Sequence, residues 1–127
     1  MNIPANLKYT KEHEWIKVEG NIATIGITDY AQGELGDIVF VELPAVGASL
    51  TYMKAFGTIE AVKAVSDLFS PVTGKVTAIN AKLDNEPMAI NKDPYGEGWM
   101  IRIECSNLVE LEQLLSDSDY KDVLASA

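Results

Sequence analysis

Phe56-Gly57-Thr58-Ile59-Glu60-Ala61-Val62-Lys63-Ala64-Val65-Ser66-Asp67-Leu68-Phe69-Ser70-Pro71-Val72-Thr73-Gly74-Lys75-Val76 sets apolar, strand-like runs on either side of Lys63. Phe56 to Val62 reads as a strand. Ser70 to Ile79 reads as another, because Val72, Gly74, Val76 and Ala78 alternate with Thr73, Lys75 and Thr77. Between them stands Lys63, with Glu60 three residues before it and Pro71-x-x-Gly74-x-Val76 after it. Val62-Lys63-Ala64 lacks the Asn-Gly or Asp-Gly signature of a two-residue hairpin. Local turn chemistry therefore does not put Lys63 at a tip, and by itself Lys63 reads as a solvent-facing strand lysine.

Toward the N-terminus the chain is punctuated into short strands. Glu14 to Val18 alternates, Glu19-Gly20-Asn21 turns, and Ile22 to Ile27 returns as a partner strand. Thr28 is a helix N-cap candidate, Asp29 suits the first turn, Ala31 and Leu35 share a face, and Gly36 suits the stop. A short helix near 29–35 follows, weakened by Gly33. Ile38-Val39-Phe40-Val41-Glu42-Leu43 is an apolar, β-branched run expected to be a strand buried on both sides.

Toward the C-terminus, Asn91 to Gly98 is turn-rich and Trp99 to Cys105 reads as a strand. Asn107 with Glu110 suggests a capping box, followed by a helical stripe of Leu108, Leu111 and Leu115. Asp117 opens a second short helix with Tyr120, Val123 and Leu124 on one face. No linker divides the chain, so residues 1–127 are expected to form one β-dominated domain.

Composition narrows the function. The net charge of −9 argues against nucleic acid and against an anionic membrane surface. No apolar stretch approaches the roughly 20 residues of a membrane span. Met1-Asn2-Ile3-Pro4 has neither a basic start nor a long apolar segment, so a cytoplasmic protein is the simplest expectation. Cys105 is the single cysteine, which excludes an intrachain disulfide and favours a semi-buried small residue. The chain contains no phosphate-binding glycine loop, and one His with one Cys makes a poor metal set. His13, flanked by Glu12 and Glu14, has no evident nucleophile to serve and reads as structural. These absences lean toward a binding or carrier protein.

The stretch around Lys63 resembles the attachment region of lipoyl and biotinyl carrier domains, where the modified lysine stands at the tip of a hairpin. Biotinyl domains flank that lysine with methionines, and acyltransferase lipoyl domains put an acid before it; here Val62 and Ala64 flank it. Glu60 to Asp67 is closer to the H proteins of the glycine cleavage system. The resemblance extends over Leu7 to Trp15, Ile25 to Gln32, Leu35 to Pro44 and Asn91 to Met100, nearly the whole chain in order.

That resemblance implies a mainly β fold, a flattened barrel or sandwich hybrid of the lipoyl-domain type with a short helix near 29–35 and C-terminal helices. It implies a non-catalytic carrier with lipoate attached covalently to Lys63. The implied partners are glycine decarboxylase (P protein), the tetrahydrofolate-dependent aminomethyltransferase (T protein), dihydrolipoamide dehydrogenase (L protein) and lipoate-attachment enzymes. The arm would carry the aminomethyl group of glycine between the first two and electrons to the third. The family's docking positions for the loaded arm match Glu12, Glu14 and Asp67, although the family carries Ser where this chain has Glu12. A lipoyl-relay role and an unmodified scaffold remain open beside this reading.

Overall fold

The computed structural model describes residues 1–126. Nine strands form two antiparallel sheets. One sheet has six strands: β1 (Lys8–Tyr9), β2 (Glu14–Glu19), β3 (Ile22–Ile27), β9 (Ile101–Cys105), β8 (Gly74–Ile79) and β5 (Ser49–Leu50), in that spatial order. The other holds β4 (Ile38–Glu42), β6 (Ala55–Ala61) and β7 (Val65–Phe69). Neither closes into a barrel. Ile25 and Ile101 from the first sheet and Ile38, Ile59 and Leu68 from the second lie in one buried cluster. The core is thus the space between the sheets, filled by the alternate inward residues of each strand. A second cluster gathers Leu7, Tyr9, Trp15 and Tyr120 at one end.

Helix α1 spans Asp29–Leu35, as its local signals require. The Thr28 hydroxyl accepts the Ala31 amide at 3.2 Å, and Gly36 ends the helix at a φ of 81°. Gly33 is exposed, and a Cβ there would meet nothing within 4 Å. Gly33→Ala is therefore expected to stabilise the fold by about 0.5–1 kcal/mol, since only backbone freedom is removed. Urea denaturation checks this; a loss would mean that α1 tolerates no side chain there.

The 38–43 run is not buried on both sides, because Val39 and Phe40 are half exposed. Ile38 pairs with Ala61 and Phe40 with Glu60, so Val39 is the extra residue of a bulge. The bulge brings Val41 inward and leaves Phe40 on the solvent face of an outer strand.

Residues Leu108–Gln113 form a 3₁₀ helix rather than an α-helix. The Asn107 side chain accepts from Val109, and Glu110 does not return to the cap. Its carboxylate instead accepts the Thr73 amide and hydroxyl, each at 2.7 Å. The proposed leucine stripe is split: Leu108 is half exposed, and Leu115 pairs with Tyr9 through the backbone. Between β8 and the turn-rich stretch that starts at Asn91 stand two single-turn helices, α2 (Lys82–Asn85) and α3 (Ala89–Lys92), the second running into that stretch, both too short for periodicity to reveal. The last helix, α4 (Asp117–Ala125), forms as expected, capped by Ser116 and burying Tyr120.

Candidate functional site

The second sheet sets the geometry around Lys63. β6 ends at Ala61 and β7 begins at Val65, so Val62-Lys63-Ala64 is the connection of a hairpin. The Ala61 amide donates to the Ala64 carbonyl at 2.7 Å and closes it. The Val62 amide donates to the Asp37 carbonyl at 3.2 Å, tying the tip to the segment after α1. A tertiary tie thus holds a turn that lacks the usual turn residues. Lys63 is exposed and makes no ion pair among the described residues.

Cross-strand pairing sets Phe40, Glu60 and Val65 in one row and Glu42, Thr58 and Asp67 in the next. Val62 and Val65 are 69% and 65% exposed, and Phe40 is 49% exposed. The hairpin tip therefore carries an apolar collar with acidic residues among it. The two valines and Phe40 form an exposed apolar patch beside the solvated Lys63. The apolar character of 38–41 concealed this in the sequence, because a buried strand looks the same.

Asp67 is exposed on β7, two residues past the strand's start at Val65. β7 is an outer strand, with one row of backbone groups unpaired by the sheet. At its far end the Phe69 amide points to the Glu14 carboxylate at 3.4 Å, while the Thr10 hydroxyl donates to Glu14 at 2.6 Å. Glu14 is only 2% exposed, on the same face of β2 as the buried Ile16. Glu12 is exposed on the same turn. The structure thus brings Glu14 to the end of the strand that carries Asp67, with Glu12 beside it. Thr10 and the Phe69 amide, its two holders, were missed by the sequence reading; only the Thr-x-x-x-Glu spacing hinted at the first.

Burial pushes the Glu14 carboxyl up from its ordinary 4.5 to about 8, against the hydrogen bonds from Thr10 and Phe69. Folding raises this value, so the folded chain holds the proton that the unfolded chain releases between those limits. The contribution to stability is complete below pH 4.5 and lost as pH rises through 8. Glu14→Gln is expected to flatten this part of the pH profile. By pH 9 it gains on the order of a few kcal/mol over the parent. Urea midpoints from pH 4 to 9 test it; parallel profiles for the two proteins would contradict a buried acid.

His13 is half-buried and backbone-strained, with a φ of 69°. Its Nδ1 lies 2.8 Å from the Tyr120 hydroxyl, as its structural reading requires. Cys105 is buried, which raises its thiol pKa and suits the bland reading. Among the described residues no His, Cys, Asp and Glu cluster could hold a metal. No helix among them is long and apolar enough to cross a membrane.

The comparisons agree over almost the full length. The family model described as glycine cleavage H-protein matches residues 7–127. The glycine cleavage system H protein of Carboxydothermus hydrogenoformans is 56% identical over 122 residues, covering 96% of this chain and 94% of that protein. That of Symbiobacterium thermophilum is 57% identical over 119 residues, covering 94% and 93%. The crystal structure of a glycine cleavage system H protein from Mycobacterium marinum superposes with a TM-score of 0.87 at 36% identity, covering 94% of this chain and 97% of that one. With two open antiparallel sheets, an exposed hairpin lysine and a match this long, the chain belongs to the glycine cleavage H-protein family.

Proposed function

We propose that this chain, as one carrier domain, bears lipoate as an amide on Lys63 and shuttles between the active sites of the glycine cleavage system. Family membership makes it a carrier subunit and not an enzyme. The observation that carries the proposal is Lys63 itself: an unpaired amine at a tethered hairpin tip, open to an attachment enzyme. The residues fit the group. A lysine stem is flexible, and amide formation removes its charge. The collar of Phe40, Val62 and Val65 suits contact with a partner's apolar surface.

Bound lipoate supplies a disulfide able to accept an aminomethyl group and to be reoxidised. The chain's own residues receive the cationic amine. Asp67 lies along the open strand, Glu14 stands at its end and Glu12 at the rim. Glu14, with its carboxyl at about 8, holds a proton at neutral pH. A cation arriving beside it supplies the missing countercharge, and the carboxyl releases that proton to solvent. Burial around Glu14 keeps water from the amine. The partners in this reading are glycine decarboxylase, the aminomethyltransferase and dihydrolipoamide dehydrogenase.

The test is reconstitution. Lipoylated chain added to those three enzymes with glycine, tetrahydrofolate and NAD is expected to produce NADH that depends on all components. No NADH, where another H protein restores it, would overturn the assignment.

A further inference from the structure

Three elements converge on the turn that carries Glu12 and Glu14. The turn runs from Thr10 to Glu14, with the Thr10 amide donating to the Glu14 carbonyl and the His13 amide to the Thr10 carbonyl. His13 occupies the left-handed region, a conformation uncommon outside glycine and held only where surroundings fix it. Its carbonyl accepts the Thr28 amide at the start of α1. Its ring meets α4 through Tyr120. The Tyr120 hydroxyl lies 2.8 Å from His13 Nδ1 and 2.8 Å from Thr28 Oγ1.

Thr28 Oγ1 accepts the Ala31 amide and keeps a second lone pair, so either hydroxyl can donate across the Thr28–Tyr120 contact. The Tyr120 hydroxyl donates to His13 Nδ1 or accepts from it according to the ring tautomer, and both arrangements join the two side chains. Burial lowers the His13 pKa, which favours the neutral ring. The Tyr120 ring is itself fixed, stacked on Tyr9 at 4.8 Å and 8°. One hydroxyl on the last helix therefore pins the residue next to Glu14.

We propose that His13 and Tyr120 are positioning residues for the Glu14 carboxyl, which makes α4 part of the arm-docking site. This rests on the docking role given to Glu14 above. The clamp holds the strained turn shut, keeping Glu14 against Thr10 and the Phe69 amide and out of water. The titratable groups facing this corner are Glu12 on the turn, Tyr30 and Glu34 on α1, Tyr9 on β1, Tyr95 in the loop before β9, and Asp117 and Tyr120 on α4.

The test compares variants by two readouts. One is the Glu14 titration midpoint, from carboxyl carbon NMR of the chain without lipoate. The other is how long the loaded chain, without partners, keeps its aminomethyl group. Hydrolysis of that group consumes one water, releases one ammonia and one formaldehyde, and leaves the thiol. Tyr120→Phe keeps the stack on Tyr9 and removes the hydroxyl. It is expected to lower the midpoint by about half a unit or more and to shorten retention roughly threefold. His13→Ala, the second variant should the first not fold, is expected to do the same. His13→Asn tolerates the left-handed backbone and offers an oxygen in place of Nδ1, so it is expected to restore both.

Leu124→Ala weakens the packing of α4 without touching the hydroxyl, and is expected to leave the midpoint in place. If it moves the midpoint as far as Tyr120→Phe, α4 acts through packing alone and the proposal falls. It also falls if Tyr120→Phe and His13→Ala match the parent while Glu14→Gln loses the group faster. If Glu14→Gln retains the group as long as the parent, the docking role fails instead, and the clamp with it.

Discussion

Lys63→Arg is expected to fold like the parent and to support no glycine cleavage at all. Arginine keeps the length and the positive charge, but its guanidinium stays protonated near neutral pH and offers no free amine for amide formation. Lys63 is exposed and makes no ion pair among the described residues, so its replacement removes no stabilising contact. The melting temperature is expected to stay within about 2 °C, as for a surface substitution away from special features. Glycine-dependent NADH formation in the reconstituted system is expected to fall to background. Both measurements matter. Residual turnover near the parent's rate would show that the acyl arm sits elsewhere, and a large fall in melting temperature would show that Lys63 serves the fold.

Gly57→Ala and Gly74→Ala are expected to cost the most stability of any conservative change in the segment around Lys63. A Cβ at Gly57 would collide with the carbonyl oxygen of Glu42 on β4. One at Gly74 would collide with the carbonyl oxygen of Glu104 on β9 and sit 2.7 Å from Ile103 Cγ2. Both obstacles include backbone, which gives way only by separating strands. Gly57 lies at a register shift between β6 and β7, where the strands already deviate from regular pairing. Each change is expected to cost about 2–4 kcal/mol, in the range of overpacked interiors and strained backbones. Chemical denaturation measures it, with Gly33→Ala as the contrasting gain. A cost below about 0.5 kcal/mol at both sites would mean that the sheets yield to an added methyl group.

What was legible in the sequence followed from short-range chemistry. Thr28, Asp29 and Gly36 fixed α1 because a cap, a first-turn acid and a stop each act within one helical turn. The strands Glu14–Glu19 and Ile22–Ile27 were marked by a glycine turn between apolar runs. Lys63 was singled out by resemblance to a carrier motif, and the reason its connection turns was hidden. The Ala61–Ala64 backbone bond closes the turn, and a hydrogen bond to Asp37, distant in sequence, tethers it.

What was not legible depended on neighbours. Whether Val39 and Phe40 face core or solvent turns on one bulge, which composition does not report. Glu110 looked like half of a capping box, yet two donors from Thr73 outcompete the cap. Alternation puts Glu14 on the face of Ile16 and Val18 but gives no sign of what a carboxyl would meet there. Its burial arises because the end of β7 and the hydroxyl of Thr10 meet over it. The acid with the most displaced carboxyl was therefore the one whose environment the sequence least revealed.

The most direct test of the carrier role is intact mass, with fragment mapping, of the chain co-expressed with a lipoate-attachment pathway. A carrier of this kind is expected to bear one lipoyl group per chain, localised to Lys63. An unmodified mass beside a control carrier that is fully lipoylated, or a lipoyl group mapped to another lysine, would contradict it.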